Sequence, residues 1–396
     1  MSTRPPLPRN VWVLGLVSLF MDLSSEIYHA LLPAFITLVL GLPATALGAI
    51  DGVAEATANL AKLFSGRLSD RSLRRKPWVM AGYGLAALSK PLFPLATTAP
   101  AVLAARFADR LGKGIRGSPR DAMIADETPA AIRGRAFGLR QALDTAGALL
   151  APLVAIGLMW WLASNVRAVF WIAVIPAGIS FLLAWLALRE PERHLAPLKK
   201  SPFFAGFRQL DKGTRRLLQV GFLFTLARFS EGFLILKGID IGLSAAMSPL
   251  TLAIFNLAYV ALAYPAGALS DRMSPRAILM AGMAVLIAGN LVLAETGGFA
   301  GLVIGTTLWG AHMALTQGIF ARMIADRAPE ELRATSFGAF WFVTGIGGLL
   351  ASLGAGWLWD RQGSSATFLT SAAVAAAALG MLSLLEGEGE PSSPAR

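Results

Sequence analysis

Long apolar segments repeat along almost the entire chain, and they restrict its fold more than any other feature of the sequence. Each segment approaches the roughly 20 residues that a helix needs to cross the hydrocarbon core of a bilayer. Six of them lie in the first half, at 11–37, 44–66, 77–96, 99–120, 136–160 and 167–188. Six more lie in the second half, at 217–239, 248–269, 276–294, 299–321, 335–358 and 365–386. We number them spans 1 to 12, and they predict an all-α polytopic membrane protein with twelve transmembrane helices.

The composition supports a membrane protein and excludes several other classes. Hydrophobic residues make up 55% of the chain and charged residues only 15%, whereas soluble domains carry about 25% charged residues. The net charge is +11, but we do not expect a nucleic-acid-binding protein to be so apolar. The chain has no cysteine, which excludes disulfides, thiolate metal sites and cysteine nucleophiles.

Basic residues are concentrated in alternate loops, and this sets the expected orientation. The loops after spans 2, 4, 8 and 10 carry Arg71, Arg74, Arg75, Lys76, Arg133, Arg135, Arg272, Arg276, Arg322, Arg327 and Arg333. The other loops between spans hold almost no Lys or Arg. Because cytoplasmic loops carry the basic excess, we expect both termini in the cytoplasm and a multi-pass protein of the inner membrane.

The two halves of the chain resemble each other in sequence. The residues Met-Ile-Ala-Asp at 123–126 recur at 323–326, and GRLSDR at 66–71 recurs as GALSDR at 267–272. Six spans per half give both halves the same orientation, so they are parallel repeats around an axis along the membrane normal. The expected order is a six-helix bundle, a basic cytoplasmic linker, a second six-helix bundle and a disordered cytoplasmic tail, at 1–188, 189–216, 217–386 and 387–396.

The sequence GRLSDRSLRRK at 66–76 resembles the signature G-x-L-x-D-R-x-x-R-R-K that follows span 2 in the major facilitator superfamily. The resemblance implies a twelve-span secondary transporter whose halves rock around a central cavity lined by spans 1, 4, 7 and 10. An Asp–Arg pair that forms in only one of two states would act as a latch. The resemblance therefore implies a gating role for Gly66, Asp70, Arg71, Gly267, Asp271 and Arg272.

Two further resemblances bear on direction and cargo. The signature G-x8-G-x3-G-P marks span 5 of many antiporters. Gly138, Gly147 and Pro152 match it, and Ala151 replaces the last glycine, which favours export. The sequences DLSSEIYHALLP and DRLGKGIRGSPRDAMIAD resemble a subgroup that includes magnetosome-associated facilitator proteins, for which iron transport has been proposed.

Ionisable side chains inside the predicted spans are functional candidates, because each costs at least about 2.5–3.5 kcal/mol at the centre of a bilayer. Span 4 carries more cations than acids, which favours a substrate with anionic groups such as carboxylate or phosphate. We assign substrate binding to Arg106, Asp109, Arg110, Lys113, Arg140, Asp144, Arg228 and His312. We assign proton coupling to Asp22, Glu26 and Glu231.

The partners of these charges decide between substrate contact and mutual neutralisation. Two i,i+4 spacings permit local ion pairs, Asp109–Lys113 and Arg140–Asp144. If the charges only neutralise one another, they line a cavity without binding substrate. Both interpretations are open from the sequence.

Depth in the membrane predicts a second set of partners. Counted along the spans, Asp22 is expected near Arg110 and Glu26 near Arg106. If substrate engages the arginine in one state and the carboxylate engages it in the other, proton binding and substrate binding are linked.

These features predict a proton-coupled secondary transporter that works by alternating access. The favoured activity is export of a small organic anion or metal chelate, and the alternative is proton-driven uptake of an anionic substrate or siderophore. A lipid flippase and a non-transporting membrane sensor are alternatives of another class. The sequence has no Walker motif, no metal-site spacing and no catalytic set, so we expect no enzyme, cofactor or dedicated metal site. We expect a monomer in the lipid bilayer.

Overall fold

Almost every residue that the structure describes is helical, and none of those residues lies in a β-strand. The computed structural model describes residues 6–129, 132–190, 212–270, 273–317, 319–320, 323 and 333–384. Most of the expected linker, 189–216, lies outside these ranges, and so do the expected tail, 387–396, Asp271 and Arg272.

The first half forms spans 1 to 6. Their bounds are Arg9–Ala34 with a π-helical turn Phe35–Val39, Ala44–Asp70, Lys76–Ser89 with a short helix Leu92–Leu95, Ala99–Glu127, Arg133–Trp161 and Val166–Ala187. Gly41 turns the chain between spans 1 and 2 at a φ of 65°, a conformation that glycine adopts without strain. Proline occupies the first turn of spans 3 and 4, where its missing N–H costs no helical hydrogen bond.

The second half forms spans 7 to 12. Span 7 consists of Lys212–Leu226 and Gly232–Asp240, and spans 8, 9 and 10 are Pro249–Ser270, Pro275–Glu295 and Phe299–Thr316. The stretch Arg333–Leu384 turns at Gly363, where φ is 84°, and this divides it into span 11 at 333–362 and span 12 at 364–384. The expected all-α fold with twelve transmembrane helices is confirmed by the described helices.

The outer surface of the bundle suits a lipid environment. Six of the described helical stretches are long and apolar enough to cross a membrane by length and hydropathy alone, and span 4 is not among them because of its charges. Trp160 and Trp161 are exposed at one end of the bundle, and Trp185 is exposed at the other. Tryptophans at both ends are typical of the two interfaces of a bilayer.

The two sides of the bundle differ in how the halves meet. Because the chain crosses an even number of times, residues 9 and 384 lie on the same side, which we call the terminal side. A cluster of buried apolar residues that belongs to the first half alone lies near this side, whereas the larger cluster includes residues of both halves. The two halves therefore share more of their core away from the terminal side.

Spans 2 and 11 make the closest approach between the halves, on the side opposite the termini. A Cβ on Gly48 would collide with the carbonyl oxygen of Ser352, and one on Gly356 would lie 2.6 Å from that of Ala44. Small residues permit this backbone-to-backbone packing between membrane helices. The opposite side is closed in this structure.

Candidate substrate cavity and charge network

A cavity of about 510 Å³ lies between the two halves. Among the described residues of the first half, Glu55 and Asn59 of span 2 line its wall. Spans 7, 10 and 11 contribute Gly221, Phe224, Thr225, Arg228, Phe229, Ser230, Glu231, Trp309, Met313, Thr316, Gln317, Phe320, Phe340, Trp341, Thr344, Gly345, Gly348 and Ser352. The expectation for spans 7 and 10 is therefore correct, whereas no described residue of spans 1 or 4 lines this cavity. Arg106, Asp109 and Arg110 of span 4 pack inside the first half instead.

Span 7 is interrupted beside the cavity. Between its two helices, residues 227–231 are not helical, and Arg228, Ser230 and Glu231 of this segment line the cavity. Non-helical backbone at membrane depth is tolerated only where protein or a cavity surrounds it. Breaks of this kind mark the binding sites of many secondary transporters, although hydropathy along the chain predicts an unbroken span here.

Hydrogen bonds to three other spans hold the break in place. The Ser371 hydroxyl donates to the carbonyl oxygen of Ala227 at 2.5 Å, and the Ser230 amide donates to the Ser352 hydroxyl at 3.2 Å. The Ser230 hydroxyl donates to Asp51 Oδ2 at 2.6 Å. Since Asp51 belongs to the first half, the break is also a junction between the halves.

Arg228 is the one cation among the described residues that line the cavity. Its guanidinium lies 5.4 Å from the centre of the Phe224 ring, and its Nη2 contacts the sulfur of Met313. Neither Arg228 nor Glu231 forms an ion pair with another described residue. Both groups are therefore available to a ligand.

Aromatic rings form a wall around this arginine. Phe224 and Phe320 are stacked with ring centres 5.8 Å apart, and Phe320 and Phe340 are stacked at 6.0 Å. Phe229, within the break, lies 5.3 Å from Trp309. The wall offers a large flat apolar surface to a ligand.

His312, which the sequence assigned to substrate binding, lies behind this wall. Its ring is buried 5.2 Å from that of Trp309, and neither ring nitrogen has a hydrogen-bond partner among the described residues. It does not line the cavity.

Three charged side chains of span 4, Arg106, Asp109 and Arg110, lie in a buried network inside the first half. Lys90 Nζ is 2.7 Å from Asp109 Oδ1 and donates to the Ser25 hydroxyl at 2.8 Å. Lys90 is fully buried, and only 2% of the Asp109 side chain is exposed. The expected Asp109–Lys113 pair is wrong, because the packing of span 3 against span 4 brings Lys90, which sequence reasoning missed, to the carboxylate.

Two arginines of span 4 bind acids of span 2. Arg106 Nη2 is 3.3 Å from Asp51 Oδ1 and donates to His29 Nδ1 at 2.7 Å. Arg110 Nη1 is 3.4 Å from Glu55 Oε1. Half of the Glu55 side chain is exposed, so this acid connects the network to the cavity.

The formal charges of the network cancel. Its ion-paired members are Lys90, Arg106, Arg110, Asp51, Asp109 and Glu55. Buried charges are tolerated when they are paired and hydrogen-bonded. The cations of span 4 that belong to this network leave no surplus charge for an anion.

The acids of span 1 have other neighbours than expected from their depth. The carboxyl group of Asp22 lies against that of Asp144 in span 5. Glu26 forms no hydrogen bond or ion pair with another described residue. The expected Asp22–Arg110 and Glu26–Arg106 pairs do not form, since both arginines point to span 2.

A second charged group lies between spans 1, 4 and 5. Arg140 Nη1 is 3.4 Å from Asp144 Oδ2, which confirms the expected i,i+4 pair. Arg120 Nη1 is 3.8 Å from Asp144 Oδ1 and donates to the Ser18 hydroxyl at 3.0 Å. Lys113 forms no ion pair with a described residue.

Asp70, the expected latch, is held within the first half. Its Oδ1 is 3.1 Å from Arg75 Nη1, and Arg75 Nε is 2.8 Å from Asp126 Oδ2. The gating role therefore stays a prediction for Asp70 and also for Gly66, Arg71, Gly267, Asp271 and Arg272.

On the opposite side, Asp360 at the end of span 11 caps the first turn of span 2. Its carboxylate accepts hydrogen bonds from the amides of Ala44 and Thr45, both at 2.8 Å, and from the Thr45 hydroxyl at 2.5 Å. No side chain near the start of span 2 provides this cap, and the residue before it is Pro43. Sequence reasoning missed Asp360 because more than 300 residues separate it from its partners.

The sequence profile of the Major Facilitator Superfamily matches residues 14–237 and 217–396. The chain belongs to the Major Facilitator Superfamily. The expected superfamily is thus confirmed, and its fold is that of multi-pass membrane transporters and not of enzymes. The resemblance to magnetosome-associated proteins is not supported.

Relatives of this superfamily member include proteins of several kinds. An uncharacterised MFS-type transporter of Methanocaldococcus jannaschii is 30% identical over 375 residues, which are 93% of each chain. A class C tetracycline resistance protein of Escherichia coli is 30% identical over 299 residues, which are 72% of this chain and 73% of that protein. The structure is also similar to a crystal structure of the nucleoside transporter NupG, with a TM-score of 0.78 and 14% identity. The similarity covers 95% of this chain and 98% of that chain.

Proposed function

We propose that the protein is a proton-coupled secondary transporter that exports a small organic anion, or a metal chelate with the same acid groups. The observation that carries this proposal is Arg228, a cation on the wall of the cavity that forms no ion pair with a described residue. Arg106 and Arg110 have carboxylate partners. We therefore assign the anion-binding role to Arg228 and a structural role to the other two arginines.

Alternating access is supported by the contrast between the two sides. Spans 2 and 11 close the opposite side through Gly48, Gly356 and the Asp360 cap. In the proposed orientation the terminal side is cytoplasmic, so the side that spans 2 and 11 close faces away from the cytoplasm. Separation of spans 2 and 11 would expose the cavity to the other side.

Proton coupling is supported by the contact between Asp22 and Asp144. Adjacent carboxyl groups repel each other when both are ionised, and one shared proton removes the repulsion. Glu26 and Glu231 have no ion-pair partner among the described residues and are the other candidates. Asp22, Glu26 and Asp144 lie on spans 1 and 5 of the first half, whereas Glu231 lies on span 7 of the second half. If the halves rock, Glu231 moves relative to the other three acids.

The proposal is tested in liposomes that contain the purified protein and the impermeant pH dye pyranine. Naphthalene-2-sulfonate is added outside while valinomycin and potassium clamp the membrane potential. This sulfonate stays ionised, so it cannot itself carry protons through lipid. Exchange of protons for anions is expected to raise the internal pH, and Asp22→Asn is expected to abolish that rise.

Two controls complete this experiment. Empty liposomes measure leakage, and Asp240→Asn removes an acid next to Lys237, away from the cavity, which should leave the rise intact. Entry of the sulfonate without a change of pH would contradict proton coupling. A sulfonate that stays outside would contradict transport of organic anions.

Proton-driven uptake is the second candidate, and Glu231 favours it. Glu231 and Arg228 lie in the same broken segment, so an ionised Glu231 weakens anion binding at Arg228 and its protonation strengthens it. Proton and anion would then move together. In the same liposomes this mechanism lowers the internal pH instead of raising it.

A further inference from the structure

The wall of the cavity combines two features that restrict its ligand more closely than charge alone. One is the stacked series Phe224, Phe320 and Phe340, with ring centres 5.8 and 6.0 Å apart. The other is the Arg228 guanidinium, 5.4 Å from the first ring of that series. The wall also carries Glu55, which is paired with Arg110, and Glu231. An aromatic surface on which Arg228 is the one cation among the described residues is complementary to a flat apolar body with one acid group.

The surroundings of Arg228 leave its hydrogen-bonding capacity largely unused. A guanidinium has five N–H donors, and the acceptor it contacts among the described residues is the sulfur of Met313, which is a weak acceptor. A carboxylate, sulfonate or phosphate can take two of the remaining donors in a planar, bidentate arrangement. The site is therefore more complementary to an anion than to a neutral molecule.

The break in span 7 fixes the position of this arginine. Ala227, on one side of Arg228, accepts a hydrogen bond from span 12, and Ser230, on the other side, bonds to spans 2 and 11. A cation held by its backbone in this way loses little freedom when the ligand binds. The unwound segment is thus a preformed part of the site.

We propose that the cavity binds aromatic acids, with the ring system against Phe224, Phe320 and Phe340 and the acid group on Arg228. This inference rests on the proposed function, since it names the class of anion that the cavity takes. The volume of about 510 Å³ lies within the range of about 300–1,000 Å³ that ligand cavities of drug size occupy. The ligand class is therefore an amphiphilic anion with one or a few fused rings.

Four probes test the class by calorimetry on the purified wild-type protein. They are naphthalene-2-sulfonate, hexane-1-sulfonate, 2-naphthalenemethanol and 2-naphthylmethylammonium, which separate the ring from the charge. Naphthalene-2-sulfonate is expected to bind most tightly, and the aliphatic sulfonate about three- to tenfold more weakly, because it cannot stack. The neutral and cationic probes should bind about tenfold more weakly or worse, because they leave Arg228 without its anion.

Two variants assign these preferences to residues. Arg228→Gln should remove the preference for the sulfonate over the alcohol, and Phe320→Leu should remove the preference for the naphthyl over the hexyl sulfonate. The matched control is Arg167→Gln, since Arg167 also lies 5.0 Å over a phenylalanine ring, Phe35, but outside the cavity. Thermal unfolding of each variant identifies a folding failure, and Phe340→Leu is the second variant if Phe320→Leu does not fold.

The outcomes separate this inference from the proposed function. Equal affinity for the two sulfonates, or an Arg228→Gln protein that binds like wild type, would overturn the aromatic-acid site. The same holds if naphthalene-2-sulfonate does not bind at millimolar concentration. Tight, selective binding without proton movement in the liposomes would overturn coupled transport and leave the site intact.

Discussion

The two halves of this protein handle charge inside the membrane in opposite ways. The first half holds many ionisable side chains, and six of those in its core pair with one another across spans 2, 3 and 4. The second half offers far fewer, but Arg228 lies at a break in a helix, on the wall of a cavity and without an ion pair to a described residue. The difference teaches that the number of charges on a span does not locate a ligand. The partners of each charge do.

The physical reason is the cost of transferring a charge from water. Removing one partner of a buried pair leaves the other uncompensated, and this costs about 3–5 kcal/mol. Many charged side chains can therefore be buried in one core only if their positive and negative charges balance. An unpaired cation persists where water or a ligand reaches it, as in the cavity beside span 7.

The largest expected difference between the halves is tested by replacing one arginine in each half with methionine. Arg106→Met leaves Asp51 buried without its cation and is expected to lower the free energy of unfolding by about 3–5 kcal/mol. Arg228→Met removes a cation that forms no ion pair with a described residue, so the free energy of unfolding of this variant should be unchanged or higher. Both values are measured by titrating the protein from mild detergent into dodecyl sulfate. If both variants lose the same free energy of unfolding, the two halves do not differ in how they compensate buried charge.

The junction between the halves provides the next largest effect. Ser230→Ala removes the hydroxyl that donates to Asp51 from the second half, and a hydrogen bond to a charged group contributes about 1.5–3 kcal/mol. The control is Ser24→Ala, which removes a hydroxyl that donates to a carbonyl oxygen within the first half, at 2.6 Å, and should cost about 1 kcal/mol. Only Ser230→Ala should also weaken binding of naphthalene-2-sulfonate. If both variants lose affinity equally, the break is not a specific junction.

The smallest expected effect concerns the cap on span 2. Asp360→Ala should cost about 1 kcal/mol, and because the cap comes from the other half, that loss should favour separation of spans 2 and 11. The chain has no cysteine, so Leu47→Cys supplies a single thiol. Leu47 is fully buried near this contact. Addition of Asp360→Ala should make maleimide labelling of this thiol about fivefold faster.

A cap within one half is the matched control for this experiment. Asn165 caps span 6 by accepting from the Ala168 amide at 3.1 Å. Asn165→Ala should destabilise the protein to a similar extent without changing the labelling of the thiol. Faster labelling in both variants would mean that general loosening, and not the cap from the other half, exposes the contact.

The sequence allowed the fold to be predicted almost completely, because membrane helices depend on local hydrophobic length. It also allowed the Arg140–Asp144 pair to be predicted, since both residues lie on one helix. The partner of Asp109 was predicted wrongly, because the nearest cation in space, Lys90, is on another span. Spacing along one helix carries no information about which faces of two helices meet.

The candidate site was only partly predictable for the same reason. Arg228 and Glu231 were identified as charges within span 7, but the break that presents them depends on hydrogen bonds from Ser352, Ser371 and Asp51. No strong helix breaker lies within residues 227–231. The break is a property of the assembled bundle, so it could be found only in the structure.

The Asp360 cap makes the end of span 2 sensitive to the state of the whole molecule. When the halves meet on that side, the amides of Ala44 and Thr45 are bonded to Asp360. When the halves separate, the same two amides lose their acceptor and become open to exchange with solvent. The exchange rate of these two hydrogens therefore reports how often the protein opens, and measuring it needs no knowledge of the substrate.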